Sequence, residues 1–150
     1  MSDAPETINW AEGVPLTAGP FFLGLYQPSP ETVDFWDGVK AGELRLKWCD
    51  HCKKHLHPKR IVCPDCGSHE LGSKVASGKG AVYSFSEVHR AALPALADSV
   101  PYTVGVVKLE EGVHLFTRFF AAPNPVAVDA PARLEFRPLE LGHTMPVFLV

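Results

Sequence analysis

All four cysteines of the chain fall within eighteen residues, in two short C-x-x-C motifs. Cys49 and Cys52 form the first motif, and Cys63 and Cys66 form the second after ten intervening residues. One tight loop can place two sulfurs on the same metal ion, and two such loops supply the four tetrahedral ligands of a structural zinc ion. The spacing therefore predicts a closed zinc site that leaves no open position for a catalytic water.

Other uses of these cysteines fit the sequence less well. Disulfides suit secreted proteins, but residues 1–10 lack the basic start and apolar centre of a signal peptide. A redox C-x-x-C motif usually occurs singly, at the start of a helix. Iron stays open as the bound metal, because a tetrahedral four-sulfur site suits either ion. No apolar stretch approaches the ~20 residues of a membrane helix, so we expect a cytoplasmic protein.

The charges are unevenly distributed, although the net charge is only -3. Residues 1–39 carry six acidic side chains and no Lys or Arg, whereas residues 40–90 carry ten basic against five acidic side chains. The basic segment would attract an anion, although solvated lysines on a hairpin surface would give the same pattern. Because four sulfurs already complete a zinc shell, we expect the histidines of this region to be polar groups on an exposed knuckle: His51, His55, His57 and His69.

A short helix is expected just before the cysteine motifs. Ser29 can cap it, Pro30 suits its first position and Gly42 can end it. Its apolar residues recur at helical spacing, so Phe35 and Trp36 are expected to dock the helix onto an apolar surface.

Residues 1–28, which we call the arm, combine aromatic residues with several prolines and glycines, a composition typical of an extended segment. Phe21, Phe22 and Tyr26 need an apolar surface on which to pack, since large exposed apolar patches are rare. Either the arm folds back over its own domain or it lies on a partner, and the sequence leaves both open.

The remaining chain reads as β-strands. Residues 44–48 alternate apolar and polar side chains, residues 69–77 form a return strand, and residues 78–80 form a turn. Five further strands are expected at 81–89, 102–109, 114–120, 132–136 and 145–149, with a hairpin turn at 110–112. Such a series predicts a small closed barrel of the oligonucleotide/oligosaccharide-binding (OB) type.

The predicted fold class is therefore mainly β: an N-terminal helix and a rubredoxin-like zinc ribbon, followed by a five-stranded OB-fold barrel. We divide the chain into the arm at 1–28, the helix and ribbon at 29–77 and the OB-fold domain at 78–150. The barrel is expected to have a core of its own, filled in part by Tyr83, Phe85 and Phe116.

Residues 30–150 resemble the domain-of-unknown-function thirty-five family. The resemblance rests on the helix with Phe35-Trp36, the ribbon with Cys63-Pro64-x-Cys66-Gly67, the segments 77–85 and 88–90, and Val100-Pro101-Tyr102. It implies a zinc ribbon joined to an OB-fold domain, in a non-catalytic partner of thiolase-superfamily enzymes that act on acyl-coenzyme A thioesters. In such complexes the reactive cysteine belongs to the thiolase-like subunit, and degradation of aromatic compounds is one of several settings.

The residues themselves show no convincing catalytic constellation. Ser84 and Ser86 lie on a predicted strand, without the sharp turn that exposes a nucleophilic serine. Coenzyme A carries phosphates that Lys and Arg recognise, and the candidate contacts are Lys53, Lys54, Lys59, Arg60, His89 and Arg90. The candidate contacts to a thiolase-like partner are Phe21, Phe22, Tyr26, Phe35 and Trp36.

Two other functions compete with this hypothesis. OB folds and zinc ribbons also bind single-stranded nucleic acids, but residues 91–150 carry four basic against six acidic side chains, which argues against a nucleic-acid partner. An iron-containing ribbon would instead suit an electron carrier, which would be coloured, whereas a zinc protein is colourless. The membrane is not expected as a partner.

Overall fold

The computed structural model describes residues 29–91, 97–98, 100–121, 124–138 and 144–150. The 3-10 turn Pro30–Thr32 leads into helix α1, Val33–Lys40. Eight strands follow: β1 Arg45–Cys49, β2 Lys54–Leu56, β3 Leu71–Val75, β4 Lys79–Val88, β5 Tyr102–Leu109, β6 His114–Phe120, β7 Pro131–Pro138 and β8 Thr144–Leu149. Within these ranges, no helix has both the length and the apolar character needed to cross a membrane.

The helical segment begins at Pro30 and ends before Gly42, as the sequence predicts, but its first three residues form a 3-10 turn and α1 itself begins at Val33. The backbone N–H of Ser29 donates to Thr32 Oγ1 over 3.0 Å, and Pro30 occupies the first position of the 3-10 turn, where no N–H is required. After Lys40 the chain reaches Gly42, whose φ of 75° is the left-handed conformation that ends many helices.

The first sheet has three antiparallel strands, with β1 between β2 and β3. We call this sheet and its two cysteine loops the ribbon. Its return strand is shorter than the predicted 69–77, and the three-residue strand β2 was not predicted. Leu44 and Leu46 point from the start of the ribbon into an apolar interior, where they are 2% and 1% exposed.

The second sheet is a closed barrel with the strand order β4-β5-β6-β8-β7. The pairing of β6 with β8 is parallel, and the other pairings are antiparallel. The barrel and ribbon confirm the predicted fold class. Lys79 and Gly80, expected in a turn, belong to β4, whereas Gly78 keeps the positive φ of 73° that a turn requires.

One hydrophobic core joins the ribbon to the barrel. Leu44 and Leu46 pack in the same cluster as Val82, Val107 and Phe148 of the barrel. A hydrogen bond also links the two sheets: the backbone N–H of Ser77, after β3, donates to Glu111 Oε1, in the hairpin between β5 and β6, over 2.5 Å. The expectation that the barrel has a separate core is therefore wrong, because two leucines of the ribbon complete it. The boundaries at residues 28 and 77 stay predictions.

Three aromatic residues expected in the core lie on the surface instead. Tyr83, Phe85 and Phe116 are 58%, 41% and 74% exposed. Tyr83 is the extra residue of a β-bulge, because Val82 pairs with Val107 whereas Ser84 pairs with Val106. In β6, buried residues alternate with more exposed ones, and Phe116 is one of the exposed residues. Its side chain therefore lies on the outer face of the barrel.

Candidate metal centre and basic cleft

The two C-x-x-C motifs converge at one end of the ribbon. The four sulfurs lie within 4.8 Å of one another, and the Sγ atoms of Cys49 and Cys66 are 3.6 Å apart. The Sγ atoms of Cys52 and Cys63 are 3.8 Å apart. A tetrahedral zinc ion with Zn–S bonds of ~2.3 Å requires sulfurs about 3.8 Å apart. The four side chains are therefore positioned as one tetrahedral shell.

Each motif is folded by a tight backbone turn. The N–H of Cys52 points at Cys49 Sγ over 3.5 Å, and the N–H of Gly67 donates to the carbonyl oxygen of Cys63 over 2.9 Å. Lys53 and Gly67, which directly follow the two motifs, have φ values of 53° and 70°. These left-handed residues turn the chain back immediately after each pair of ligands, so that both sulfurs of a pair face the same point.

The electrostatics of the four thiols favour a bound cation. Backbone N–H groups at Cys66 and Asp65 lower the pKa of Cys63 to about 6, against the opposing effect of its burial. The neighbouring thiol of Cys66, followed by burial, raises the pKa of Cys52 to about 12. Four thiolates so close together repel one another unless a metal ion neutralises them. The donor set therefore fits the structural zinc ion that the spacing predicts.

The histidines take no part in this cluster. Among the described residues, the group of side chains positioned for a metal consists of the four cysteines alone. His51 and His69 are exposed, as expected, but His55 and His57 are half-buried. The interpretation of all four as exposed knuckle residues is therefore wrong for these two. His55 lies in β2, where its ring packs edge-on against Trp48 with centroids 4.9 Å apart, and His57 lies in the loop after β2, which faces the barrel.

A cleft of about 540 Å³ lies between the loop after β2 and the hairpin joining β5 to β6. We call it the basic cleft. Its lining residues carry no carboxylate, and six of the ten are basic or imidazole side chains: Lys54, His55, His57, Lys59, Arg60 and His114. The three cations of this lining, Lys54, Lys59 and Arg60, make the cleft suited to an anion.

Three of the six predicted coenzyme A contacts line the basic cleft. Lys54 is paired there with Asp65, whereas Lys59 and Arg60 are exposed and form no ion pair with any described residue.

Burial lowers the pKa of His57, and the charges of Lys59 and Arg60 lower it further. The N–H of Lys59 donates to His57 Nδ1 over 3.2 Å, so the neutral imidazole carries its proton on Nε2. The sequence analysis did not place His57 and His114 in one site, because their proximity depends on the barrel.

The other three predicted contacts lie elsewhere. Lys53 is paired with Asp50 over 3.3 Å and is not part of the cleft lining. His89 lies beside Glu87, with 3.2 Å between Nε2 and Oε1, and Arg90 follows it on the surface. Both residues follow Val88, the last residue of β4, whereas the hairpin lies beside the first residues of that strand. At ~3.3 Å per residue, the two ends of β4 are roughly 25 Å apart.

The predicted partner contacts are only partly described. Phe35 and Trp36 are half-buried on α1, and their rings form an edge-to-face pair with centroids 5.1 Å apart. Phe35 packs against the shared core, so it also has a structural role. Phe21, Phe22 and Tyr26 lie outside the described residues.

Comparison with known families bears on both halves of the fold. Residues 36–72 match the rubredoxin-like zinc ribbon domain of ChsH2, and residues 73–137 match the C-terminal OB-fold domain of ChsH2. The solved structure of an Ltp2-ChsH2(DUF35) aldolase superposes with a TM-score of 0.72 at 31% identity, covering 82% of this chain and 98% of that chain.

Two relatives of different lengths contain the matched region. The 3-oxo-4,17-pregnadiene-20-carboxyl-CoA hydratase alpha subunit of Mycobacterium tuberculosis is 37% identical over 72% of this chain and 34% of its own length. The benzoylsuccinyl-CoA thiolase subunit BbsA of Thauera aromatica is 28% identical over 70% of this chain and 71% of its own length. The chain thus spans about a third of the length of the hydratase alpha subunits it matches.

The resemblance read from the sequence is confirmed by these matches, which cover the ribbon and most of the barrel. The chain belongs to the family of domain of unknown function thirty-five, DUF35, with a ChsH2-type zinc ribbon and OB-fold domain.

Proposed function

We propose that the chain is a non-catalytic, zinc-binding subunit of a thiolase-type acyl-coenzyme A acyltransferase complex, in which it helps to assemble the active complex and to bind coenzyme A or acyl-coenzyme A. The observation that carries the proposal is the convergence of all four cysteines within 4.8 Å. A thiolate in a full zinc shell is a poor nucleophile, so no cysteine remains to carry an acyl group. The relative named as a thiolase subunit supports the same assignment.

The assembly half of this proposal is tested by co-expression with a thiolase-superfamily protein encoded beside the chain. We expect the two proteins to co-purify and to elute together at a mass larger than either alone. Phe35 and Trp36 are candidate anchors, since buried aromatic residues often dominate interfaces. Separate elution of two folded proteins, with zinc bound to this chain, would count against a shared complex.

The basic cleft is our candidate site for the phosphates of coenzyme A. Lys59 and Arg60 are unpaired cations among the described residues and lie in a cleft without a lining carboxylate. Arg can hold a phosphate through two parallel hydrogen bonds, and Lys binds it as a point charge. His89 and Arg90 are a separate basic pair and are not part of this proposed site.

Charge reversal in the cleft is expected to weaken coenzyme A binding by the assembled complex at least about tenfold, since a hydrogen bond to a charged group contributes about 1.5–3 kcal/mol. The variant is Lys59→Glu with Arg60→Glu, and calorimetric titration measures the dissociation constant. Lys53→Glu is the matched control, because Lys53 is a ribbon lysine outside the cleft. Equal affinities of the double variant and the parent would exclude this site.

His57 provides a second readout of the same binding event. Its pKa is low because of burial and the charges of Lys59 and Arg60. A bound phosphate would offset those charges, so coenzyme A should raise the pKa of His57 in an NMR titration.

The acyl group is the least constrained part of the proposal. The relative named benzoylsuccinyl-CoA thiolase subunit BbsA favours an aromatic acyl-coenzyme A as the substrate of the complex. Thiolysis of a panel of aromatic and aliphatic acyl-coenzyme A thioesters by the complex would identify the preferred class.

One observation favours a second function. Tyr83, Phe85 and Phe116 are exposed on barrel strands, and OB folds bind single-stranded nucleic acids by stacking bases on such residues. Submicromolar, salt-dependent binding of an oligonucleotide, lost in Phe116→Ala, would support that function.

A further inference from the structure

An exposed aromatic pair lies beside the basic cleft. The rings of Tyr83 and His114 are in edge-to-face contact, with centroids 4.7 Å apart and an interplanar angle of 77°. Both side chains are exposed, and Tyr83 is exposed over 58% of its surface. His114 also lines the basic cleft. The two residues, which we call the aromatic pair, therefore continue the cleft onto the outer face of the barrel.

The bulge in β4 gives Tyr83 its position. Tyr83 and His114 belong to β4 and β6, which are separated by β5 in the barrel. A bulge re-aims a side chain of the strand that contains it, and the ring of Tyr83 contacts His114 across β5. Because more than half of the side chain is exposed, packing in the shared core does not explain this placement. The corner between two rings at nearly a right angle is suited to a flat ligand group.

A cation lies next to the aromatic pair. Lys108 of β5 is directly opposite His114 in the ladder, where Cβ atoms are about 4.5–5.5 Å apart. Its neighbours Val107 and Leu109 are 0% and 2% exposed, so Lys108 points to the outer face, as His114 does. Lys108 forms no ion pair with any residue that the structure describes. It is therefore available to an anion.

These groups match the nucleotide end of coenzyme A. That end is an adenine base on a ribose, with a pyrophosphate on the 5' oxygen and a separate phosphate on the 3' oxygen. An aromatic ring binds a base by stacking, and each of the two anionic groups needs a cation of its own. Lys59 and Arg60 lie inside the cleft with His114, whereas Lys108 lies outside it. The surface thus offers two cationic positions with the aromatic pair beside both.

We infer that the adenine of coenzyme A stacks on Tyr83 and His114, that its pyrophosphate lies in the basic cleft and that Lys108 binds its 3'-phosphate. The inference rests on the proposed function, because it extends the candidate phosphate site to the whole nucleotide. It makes Lys108 the residue that distinguishes coenzyme A from a nucleotide without a 3'-phosphate.

Stacking is tested by calorimetric titration of the full, zinc-loaded chain with adenosine 3',5'-bisphosphate and, separately, with inorganic pyrophosphate. Tyr83→Ala should weaken binding of the bisphosphate at least about fivefold, which corresponds to about 1 kcal/mol, and should leave binding of pyrophosphate unchanged. Tyr83→Phe keeps the ring and should bind both ligands as the parent does. Equal affinities of Tyr83→Ala and the parent for the bisphosphate would overturn the inference.

The role of Lys108 is tested with coenzyme A and dephospho-coenzyme A, which differ only in the 3'-phosphate. The parent should prefer coenzyme A about fivefold, as expected for one exposed ion pair of about 1 kcal/mol, and Lys108→Met should remove most of this preference. Lys53→Met is the matched control and should keep it, because Lys53 lies outside the cleft and is paired with Asp50. An unchanged preference in Lys108→Met would overturn the assignment of the 3'-phosphate.

The outcomes also separate this inference from the proposed function. If Lys59→Glu with Arg60→Glu abolishes binding of the bisphosphate while Tyr83→Ala and Lys108→Met leave it unchanged, the phosphate site stands and the inference fails. If the parent chain binds neither the bisphosphate nor coenzyme A, the phosphate site and the inference fail together, whereas co-purification still tests assembly. Tighter binding of single-stranded oligoadenylate than of coenzyme A would assign the aromatic pair to nucleic acid and overturn the inference.

Discussion

Replacing Cys63 with serine is expected to remove the metal and to unfold both the ribbon and the barrel. Structural zinc contributes about 10–16 kcal/mol of apparent binding free energy to small ribbons, whereas whole domains are stable by about 5–15 kcal/mol. Loss of one ligand from the four-sulfur shell therefore removes a large part of the stability. The barrel should follow the ribbon because Leu44 and Leu46 complete its core.

The measurements are the zinc content of the purified variant and hydrogen exchange of peptides from each part of the fold. We expect less than one zinc ion per chain, with fast exchange in β1 and also in β5. Ser73→Ala is the control, because Ser73 is an exposed residue of β3 in the same sheet. A zinc-free variant whose β5 stays protected would show that the barrel is stable without the ribbon.

Replacing Leu46 with alanine is expected to lower the stability of the fold strongly, although less than the loss of the metal in Cys63→Ser. Leu46 is 1% exposed and lies in a cluster formed by both sheets. Replacing a buried leucine with alanine usually lowers the free energy of unfolding by about 2–5 kcal/mol, through lost apolar burial and the remaining cavity. The metal should stay bound, since the side chain of Leu46 belongs to the shared core and not to the smaller cluster around the cysteines.

Denaturant unfolding at constant zinc concentration measures this loss, with Val75→Ala as the control. Val75 is an exposed apolar residue of β3, and its truncation should change the free energy of unfolding by less than about 0.5 kcal/mol. Similar midpoints for Leu46→Ala and Val75→Ala would mean that the ribbon and the barrel are stabilised independently.

The metal site also positions the proposed anion site. Cys52 precedes the loop that carries Lys59 and Arg60, and Cys63 follows it. When both cysteines bind one ion, the two ends of the loop are held together, and the loop lies against the hairpin of the barrel. The zinc ion in this account supports binding through the backbone and takes no part in bond making.

The features that sequence could predict are those set by neighbouring residues. The two C-x-x-C motifs define their own turns, so the four ligands could be named before the structure was known. The limits of the helix follow from Pro30 and Gly42, and the strands of the barrel follow from alternating side chains. Each of these signals acts within a few residues.

The features that sequence missed depend on contacts between distant segments. The alternation in β4 fails at Tyr83 because the bulge inserts one residue, and the sequence contains no clear signal for that bulge. Phe116 and Phe119 lie on opposite faces of β6, and composition alone cannot decide which face is buried. The basic cleft forms only when the loop with His57 meets the hairpin with His114, which requires the shared core.

In the proposed complex, the sulfurs of this chain serve as a scaffold and a partner makes and breaks the thioester bond. This division of roles is tested by thiolysis of an acyl-coenzyme A that the complex accepts, measured with the zinc-loaded chain alone, with the thiolase-superfamily subunit alone and with both together. We expect turnover to require the thiolase-superfamily subunit and to be highest when both are present. Turnover by the purified chain alone, at the rate of the complex, would contradict the claim.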